Sequence, residues 1–543
     1  MAGDEWWKRI DPFPGNNLGK SGISGLDLGW KIETAVAKAV MRRSGQNSSG
    51  RDIDHEREKN EGLLYAPPPI HGSAAWALPA EVSQAGILRP PDSLEDPRSI
   101  LLGVMRASSG SVLGQLHWDG EGHLLSVAPT RSGKATMQIV PNLVRYRGSC
   151  VVLDPKGELY RDTAAWRNAN VGPVYRIAPF EPQTHGFNPL ATVRSVADAR
   201  ALADLIMPDD PRAQDFFKKD AVAFLTALIL FILDKAPPDR RNLAEVRRVT
   251  ATGLDKFLSA VEAMARSTNP AIANAAGVVL GKSKDRSLPS LRDTLNTELS
   301  LWDDPGIARA TATAEVDFHA LKDRPATVYV TVPFDKIAAY APFLKVLLTG
   351  ALEAMVQNPT TPEIPVLFVL DEFLSLGPFP QFRDAIRTHA GAGVRLWFFL
   401  QDVPTLEEHY PKSWKAFFNT SVKTFFGTDE TFTGQLVTDQ LGAATVAYRS
   451  VSVTQNRSTS GGVFDLPTYS QGGSVSESVV FTGRPLLTPA EVVTILSRTY
   501  DDQTREGIIL LRGLRPVRAL LVPWFIGAKL KPRVVPPPPQ LSR

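Results

Sequence analysis

The hydrophobic positions fall into two alternating rhythms. Between about Ile100 and Leu190, short apolar runs bounded by turn residues read as strands: "LLSVAP", "GSCVVLD" and "PVYRIAPF". The segment "KATMQIVPNLV" between the first two has helical spacing, which makes a βαβ unit of a parallel sheet. From about Ala191 to Ala310 the rhythm is helical throughout, in "SVADARALADLIM", "FFKKDAVAFLTALILFIL", "LDKFLSAVEAMARS" and "LRDTLNTELSLW". Strands then return as "ATVYVTVP", "IPVLFVLDE" and "VRLWFFLQD". Val451 to Ser478 is rich in Ser, Thr and Gly and predicts a long mobile loop. "LLTPAEVVTIL" predicts a helix capped by Thr488 with Pro489 in its first turn. "EGIILLRGLRPVRALLVPWF" predicts a final hairpin.

The pattern therefore predicts an α/β chain with an all-α insertion. Its expected layout is a flexible polar segment at 1–70, the first part of the sheet domain at 71–190 and the insertion at 191–310. The second part of the sheet domain follows at 311–530, then a Pro-rich tail at 531–543. A length of 543 residues fits two or three domains. With 43% hydrophobic and 22% charged residues the composition is that of an ordinary globular protein. A net charge of +3 neither demands nor excludes nucleic acid, since a basic face can hide in a neutral total. The single cysteine, Cys150, sits in an apolar run and reads as a core thiol, so no disulfide framework exists. The N-terminus lacks a signal pattern. The longest apolar run, "AVAFLTALILFILD", falls short of the roughly 20 residues that cross a bilayer and reads as a buried helix. The expectation is a soluble, cytoplasmic chain. The eight histidines are scattered without ligand spacing, so a metal other than one brought by a nucleotide is not expected.

Chemistry enters at "APTRSGKAT". Here a small-residue turn, Pro129, Thr130, Arg131, Ser132 and Gly133, leads through Lys134 into a helix that begins with Ala135 and Thr136. Backbone N–H groups in such a strand-to-helix turn can cradle phosphates, and Lys134 would reach the β- and γ-phosphates of ATP. Ala128 replaces the first consensus glycine, and Ala135 stands where a hydroxyl normally helps hold Mg²⁺. A plain tight turn would use the same small residues. The second element, "PVLFVLDEF", ends an apolar strand in Asp371 and Glu372. A strand beside the phosphate loop can deliver Asp371 to the Mg²⁺ shell and Glu372 to the attacking water. The third, "VRLWFFLQD", ends in Gln401, which either senses the γ-phosphate from a strand next to the acidic pair or is a solvated amide.

These stretches carry a family resemblance. "HLLSVAPTRSGK", "VVLDPKGELY", "FNPL", "VYVTVPFDKIAAYAPFLKVLL", "LFVLDEFLSLGPFP", "GVRLWFFLQD", "FFGTDE" and "RPLLTPAEV" resemble the VirD4/TraG type IV secretion coupling proteins, from about His71 to Phe525. The resemblance implies a RecA-like P-loop ATPase domain with an all-α insertion and a catalytic set of Lys134, Asp371, Glu372 and Gln401. It implies a homo-hexamer that binds DNA without sequence preference and hands DNA–relaxase or other protein substrates to a secretion channel. Asp154, Lys156 and Glu158 match the family's signature after the second strand, with no role assigned beyond bracing the loop. Family members typically begin with two transmembrane helices, and none is read here; the expectation is a cytoplasmic chain, peripheral at the bacterial inner membrane, that is either recruited by a membrane partner or anchored through another polypeptide. Arg387 and Arg395 are the candidates for an arginine reaching a neighbouring subunit. Arg240, Arg241, Arg247 and Arg248 form a candidate DNA patch or a solvated helix face. The rival functions are a docking receptor that binds ATP with little hydrolysis, motivated by Ala128 and Ala135, and a DNA-processing ATPase outside secretion.

Overall fold

The apolar runs are the strands of one mixed sheet. The computed structural model describes residues 60–535, apart from 92–95, 108, 209–215, 283–286, 461–467, 501–502 and 528. Most of the segment expected to be flexible, and the tail from 536, lie outside the described residues; residues 60–65 are helical. The strands are β1 (Leu88–Arg89), β2 (Ile100–Arg106), β3 (Val112–Trp118), β4 (Leu124–Val127), β5 (Cys150–Leu153), β6 (Val174–Ile177) and β7 (Thr327–Val330). They continue with β8 (Val366–Leu370), β9 (Val394–Leu400), β10 (Val422–Phe426), β11 (Ala443–Ser460), β12 (Thr468–Pro485), β13 (Arg505–Leu511) and β14 (Val517–Leu521).

Twelve of them form one sheet in the order β1-β3-β2-β14-β13-β10-β4-β9-β8-β5-β7-β6. From β10 to β6 every pairing is parallel. β4, β5, β8 and β9 are buried along their whole length, as a parallel sheet covered on both faces requires. On the other side of β10 the pairing turns antiparallel, and the β13–β14 hairpin joins the parallel core to a wing of β2, β3 and β1. Their order places the strand carrying Gln401 between the phosphate-loop strand and the acidic strand. The acidic strand is thus not beside the loop, as the sequence reading had it, but one strand removed.

Between β6 and β7 the chain is helical, from Val196–Ile206 to Pro305–Ala310. The long apolar run is the helix Phe216–Lys235, with Ala221, Phe224, Leu225, Leu228, Ile229 and Ile232 buried. One hydrophobic cluster runs unbroken from Leu125, Val151 and Leu370 of the sheet to Phe224, Leu228 and Phe257 of these helices. Cys150 is fully buried.

The Ser/Thr/Gly-rich stretch corrects the expectation of a loop. β11 and β12 pair antiparallel from Ala443↔Pro485 to Ser460↔Thr468, a two-stranded ribbon apart from the main sheet. Thr and Val at frequent intervals suit an extended backbone, and long-range register supplies what local composition does not announce. Residues 71–74 tie down the base of the ribbon, where Ala74 donates its N–H to Ala443 O and Thr445 to Gly72 O. The helix Pro489–Leu496 is capped as expected: Thr488 Oγ1 accepts from Glu491 N while the Glu491 carboxylate accepts from Thr488 N.

Candidate nucleotide site

The phosphate loop hangs between β4 and a distorted first helical turn. Ala128 N donates to Leu400 O, which holds the loop entrance against the end of β9. Ser132 Oγ donates to Pro129 O at 2.6 Å and closes the turn on itself. Gly133 has φ 94°, a backbone conformation that requires glycine, and a Cβ there would also displace the Met137 methyl, 2.9 Å away. Gly427 at the end of β10 packs as closely from the side: a Cβ there would lie 2.5 Å from Ser132 Cβ. The turn from Ala135 to Ile139 is wide, with Val140 N bonding Ala135 O, five residues back. Pro141 explains the widening, since its ring clashes with the carbonyl one normal turn earlier and it has no N–H to give. The carbonyl of Thr136, which Pro141 would otherwise serve in the wide turn, instead accepts from Trp524 N at 2.9 Å.

Lys134, Glu372, Gln401 and Thr130 meet at the carboxyl ends of β4, β8 and β9. Lys134 Nζ lies 3.3 Å from Glu372 Oε1, with both side chains largely buried. Gln401 Nε2 donates to Glu372 Oε2 at 2.5 Å, and Thr130 Oγ1 donates to Gln401 Oε1 at 3.0 Å. Every heteroatom of the Gln401 amide is therefore in a chain of contacts that spans the loop. Glu372 takes a left-handed backbone conformation, φ 56°, which costs a non-glycine residue about 1–2 kcal/mol. The fold holds it there through Phe373, whose ring contacts Phe398 at 5.1 Å, Phe417 at 5.6 Å and Phe382 at 5.8 Å. A strained residue over-determined by its neighbours is a feature of working sites.

Asp371 and Asp154 follow the register pair Leu153↔Leu370, so two acids cap neighbouring parallel strands. Asp371 Oδ1 is buried without a hydrogen-bond partner, the condition of a ligand atom awaiting a cation. Burial pushes its carboxyl up to about 6, with the charges of Glu372 and Asp154 adding to the rise and Lys134 opposing it. Asp154 is likewise raised to about 6 by burial, although it accepts the Tyr160 N–H at 2.8 Å and so caps the helix Glu158–Asn170. Lys156 and Glu158 are exposed. Ala135 offers no hydroxyl, and that of Thr136 is donated to Gly133 O. Among the loop and acidic-strand residues, the donor set thus fits a magnesium ion through Asp371.

A stability measurement checks this charge environment. A carboxyl raised by burial carries stability that is full below the unfolded pKa near 4 and lost as pH rises through the folded value near 6. Asp371→Asn should therefore stabilise the nucleotide-free protein in EDTA at pH 8, by roughly 2–3 kcal/mol at most for about two pH units. The gain should fade between pH 6 and 4. Thermal midpoints across pH read it, and superimposable curves for both proteins would refute the assignment.

Other expected residues are placed differently. Arg395 is buried on β9, donates to the carbonyls of Arg98, Asp119 and Gly120, and lies over the Trp118 ring at 5.1 Å. It braces the wing against the core and cannot reach a neighbouring subunit. Arg387 is exposed in the last turn of the helix Pro380–Thr388. Each of the four candidate patch arginines has a partner within the fold, and Arg240 and Arg248 stay exposed. Arg240 and Arg248 share Glu245, Arg247 pairs with Asp303, and Arg241 Nε donates to Ala236 O. The bond from Thr130 to Gln401 and the pairing of Asp154 with Asp371 had escaped the sequence reading. Two acids that each follow an apolar run ending in Leu were the one available signal.

Comparison with known proteins gives the family. A family model described as Type IV secretory system Conjugative DNA transfer matches residues 89–540. Protein VirD4 of Rhizobium rhizogenes is 27% identical over 476 residues, covering 85% of this chain and 66% of its own length. Conjugal transfer protein TraG of Escherichia coli is 28% identical over 520 residues, covering 87% of this chain and 79% of its own. The chain thus spans about two thirds of the VirD4 relatives it matches. Among solved structures, the bacterial conjugative coupling protein TrwBdeltaN70 in complex with sulphate superposes with a TM-score of 0.55 at 16% identity, over 83% of this chain and 96% of that one. Plasmid coupling protein TrwB in complex with the ATP analogue ADPNP gives 0.53 at 17% identity, with the same coverage. That likeness shows the fold, an α/β sheet with a helical segment inserted between two of its strands. Among the described residues, no helix is long and apolar enough to cross a membrane. Matched by its family model over most of its length, this chain belongs to the type IV secretory system conjugative DNA transfer family.

Proposed function

We propose that the chain is the ATP-hydrolysing motor of a conjugative coupling complex. In this reading it works as a homo-hexamer at the cytoplasmic face of the inner membrane, binds DNA without sequence preference, and passes DNA with its relaxase or another secreted protein to a type IV secretion channel. The observation that carries it is the convergence of Lys134, Glu372 and Gln401 on the phosphate loop. Relatives named for conjugal transfer, and TrwB solved in complex with ADP and Mg²⁺, support the nucleotide and the pathway.

The residues divide the work. Lys134 is the cation for the β- and γ-phosphates. Glu372 is the base that takes a proton from the attacking water, and Gln401 orients that water by its amide. Lys134 and Gln401 both contact the Glu372 carboxylate. A triphosphate competes with Glu372 for Lys134, so arrival of substrate releases the base. Asp371 would hold Mg²⁺, which neutralises phosphate charge when bound. Ala135 favours one second reading, a receptor that binds ATP with little turnover, because that position contributes no hydroxyl to the Mg²⁺ shell. Arg387 remains the exposed candidate for contact across subunits.

Steady-state ATP hydrolysis with and without DNA, at several salt concentrations, tests the proposal. DNA should stimulate turnover, and its binding should weaken steeply with salt as neutralised phosphates release counterions. Alanine at the exposed Arg240 and Arg248 tests the patch: a flatter salt slope assigns it to DNA, and an unchanged slope discards the patch and keeps the motor. Absence of both stimulation and salt-sensitive binding would reject the motor and leave the receptor.

A further inference from the structure

The site described so far accounts for the phosphates and leaves the rest of a nucleotide unplaced. The sheet order settles on which side it must lie. Glu372 and Gln401 approach the loop from β8 and β9, on one flank of β4. The γ end of a bound triphosphate belongs on that flank, beside the base. The loop's N–H groups hold the α- and β-phosphates. The nucleoside must then leave past the first helical turn, on the opposite flank of β4, where β10, β13 and β14 lie.

The end of β10 and the segment after β14 both reach the loop and its first helical turn from that flank, and the second carries partly exposed aromatic surface. This second segment leaves β14 at Leu521, and Trp524 N bonds the Thr136 carbonyl that Pro141 leaves free. Trp524 is anchored from behind, packed against the cluster of Val144 and Leu530. Phe525 follows, half-buried, in edge-to-face contact with Trp524 at 5.6 Å between centroids. Phe525 belongs to none of the hydrophobic clusters formed by the described residues. Core packing therefore does not explain it, and part of its surface stays in solvent.

We infer that Phe525, held by Trp524 against the Thr136 carbonyl, is the platform on which the nucleobase of the bound nucleotide stacks. The inference rests on the nucleotide reading of Lys134 and its loop. An aromatic face accepts any base, so the stack should serve adenine and guanine alike. Trp524 is the positioning residue, since its N–H fixes the segment and its ring carries the platform.

The test compares binding of ATP, GTP and inorganic tripolyphosphate, each with Mg²⁺, by calorimetry on the full chain. Phe525→Ala should weaken ATP and GTP by about five- to 150-fold, the range one base–aromatic stack supplies, and leave tripolyphosphate unchanged. Phe525→Tyr should restore the nucleotides. Parental ATP affinity in Phe525→Ala, with tripolyphosphate still bound, would overturn the inference and spare the phosphate site. Equal loss of ATP and tripolyphosphate would also overturn it, making Phe525 a brace of the loop. If the parent protein binds neither ATP nor tripolyphosphate, the nucleotide reading itself falls and the platform with it.

Discussion

Glu372→Gln should bind ATP at near-parental affinity and turn it over about 10²- to 10⁴-fold more slowly, the usual contribution of a positioned general base. The amide has the same shape and keeps one oxygen that can accept from Lys134, and its NH2 can donate to Gln401 once the Gln401 amide turns over. The left-handed conformation is set by the backbone and by Phe373 in its aromatic cluster, neither of which the change touches. What is lost is the capacity to accept a proton from water. Nucleotide binding by calorimetry and single-turnover hydrolysis on the same sample separate the two effects. Hydrolysis at the parental rate would remove Glu372 from the role of base, whatever the binding shows.

Lys134→Ala should fail earlier, at binding, with a loss on the order of a hundredfold or more in affinity for ATP. Lys134 is the loop's buried cation, and no neighbouring side chain of the loop can replace its ammonium against the phosphates; Arg131 is exposed in the same turn. The change also leaves Glu372 a largely buried carboxylate without its ion pair, which adds repulsion toward an incoming anion. The two variants thus predict opposite patterns, binding without turnover for Glu372→Gln and neither for Lys134→Ala. Unaltered nucleotide affinity in Lys134→Ala would place the phosphates elsewhere and dismantle the site.

Much of this was legible along the chain. A strand buried on both faces is apolar at nearly every position, and "LLSV", "CVVL", "VLFVL" and "VRLWFFL" declare β4, β5, β8 and β9 nearly to the residue. The residue following such a run is placed at the carboxyl edge of the sheet by geometry, so Asp371 and Gln401 could be read as site residues from position alone. The glycine and lysine of the loop were readable for the same reason. Local rules also fixed the cap at Thr488 and the buried helix Phe216–Lys235, because hydrogen-bond satisfaction and hydrophobic spacing act over a few residues.

What escaped depended on partners distant in sequence. The β11–β12 ribbon looked like a loop because its extended form is set by register between strands, not by the composition of either. Arg395 looked available for a neighbouring subunit until the fold brought the carbonyls of Arg98, Asp119 and Gly120 around its guanidinium. Of the four arginines, Arg247 is drawn to Asp303, a pairing that no local pattern announced, while Arg240 and Arg248 share Glu245 at the surface. Side-chain charge is written in the sequence, but whether that charge faces solvent or a carboxylate is a fact of packing. The same holds at the site. The sequence determined that β4 leads into the loop of Lys134 and that β8 and β9 lead into Glu372 and Gln401. Only the order β4-β9-β8 decided that the strand of Gln401 lies between the other two, so that its amide bridges Thr130 of the loop and Glu372, because strand order comes from long-range crossovers that leave no local trace.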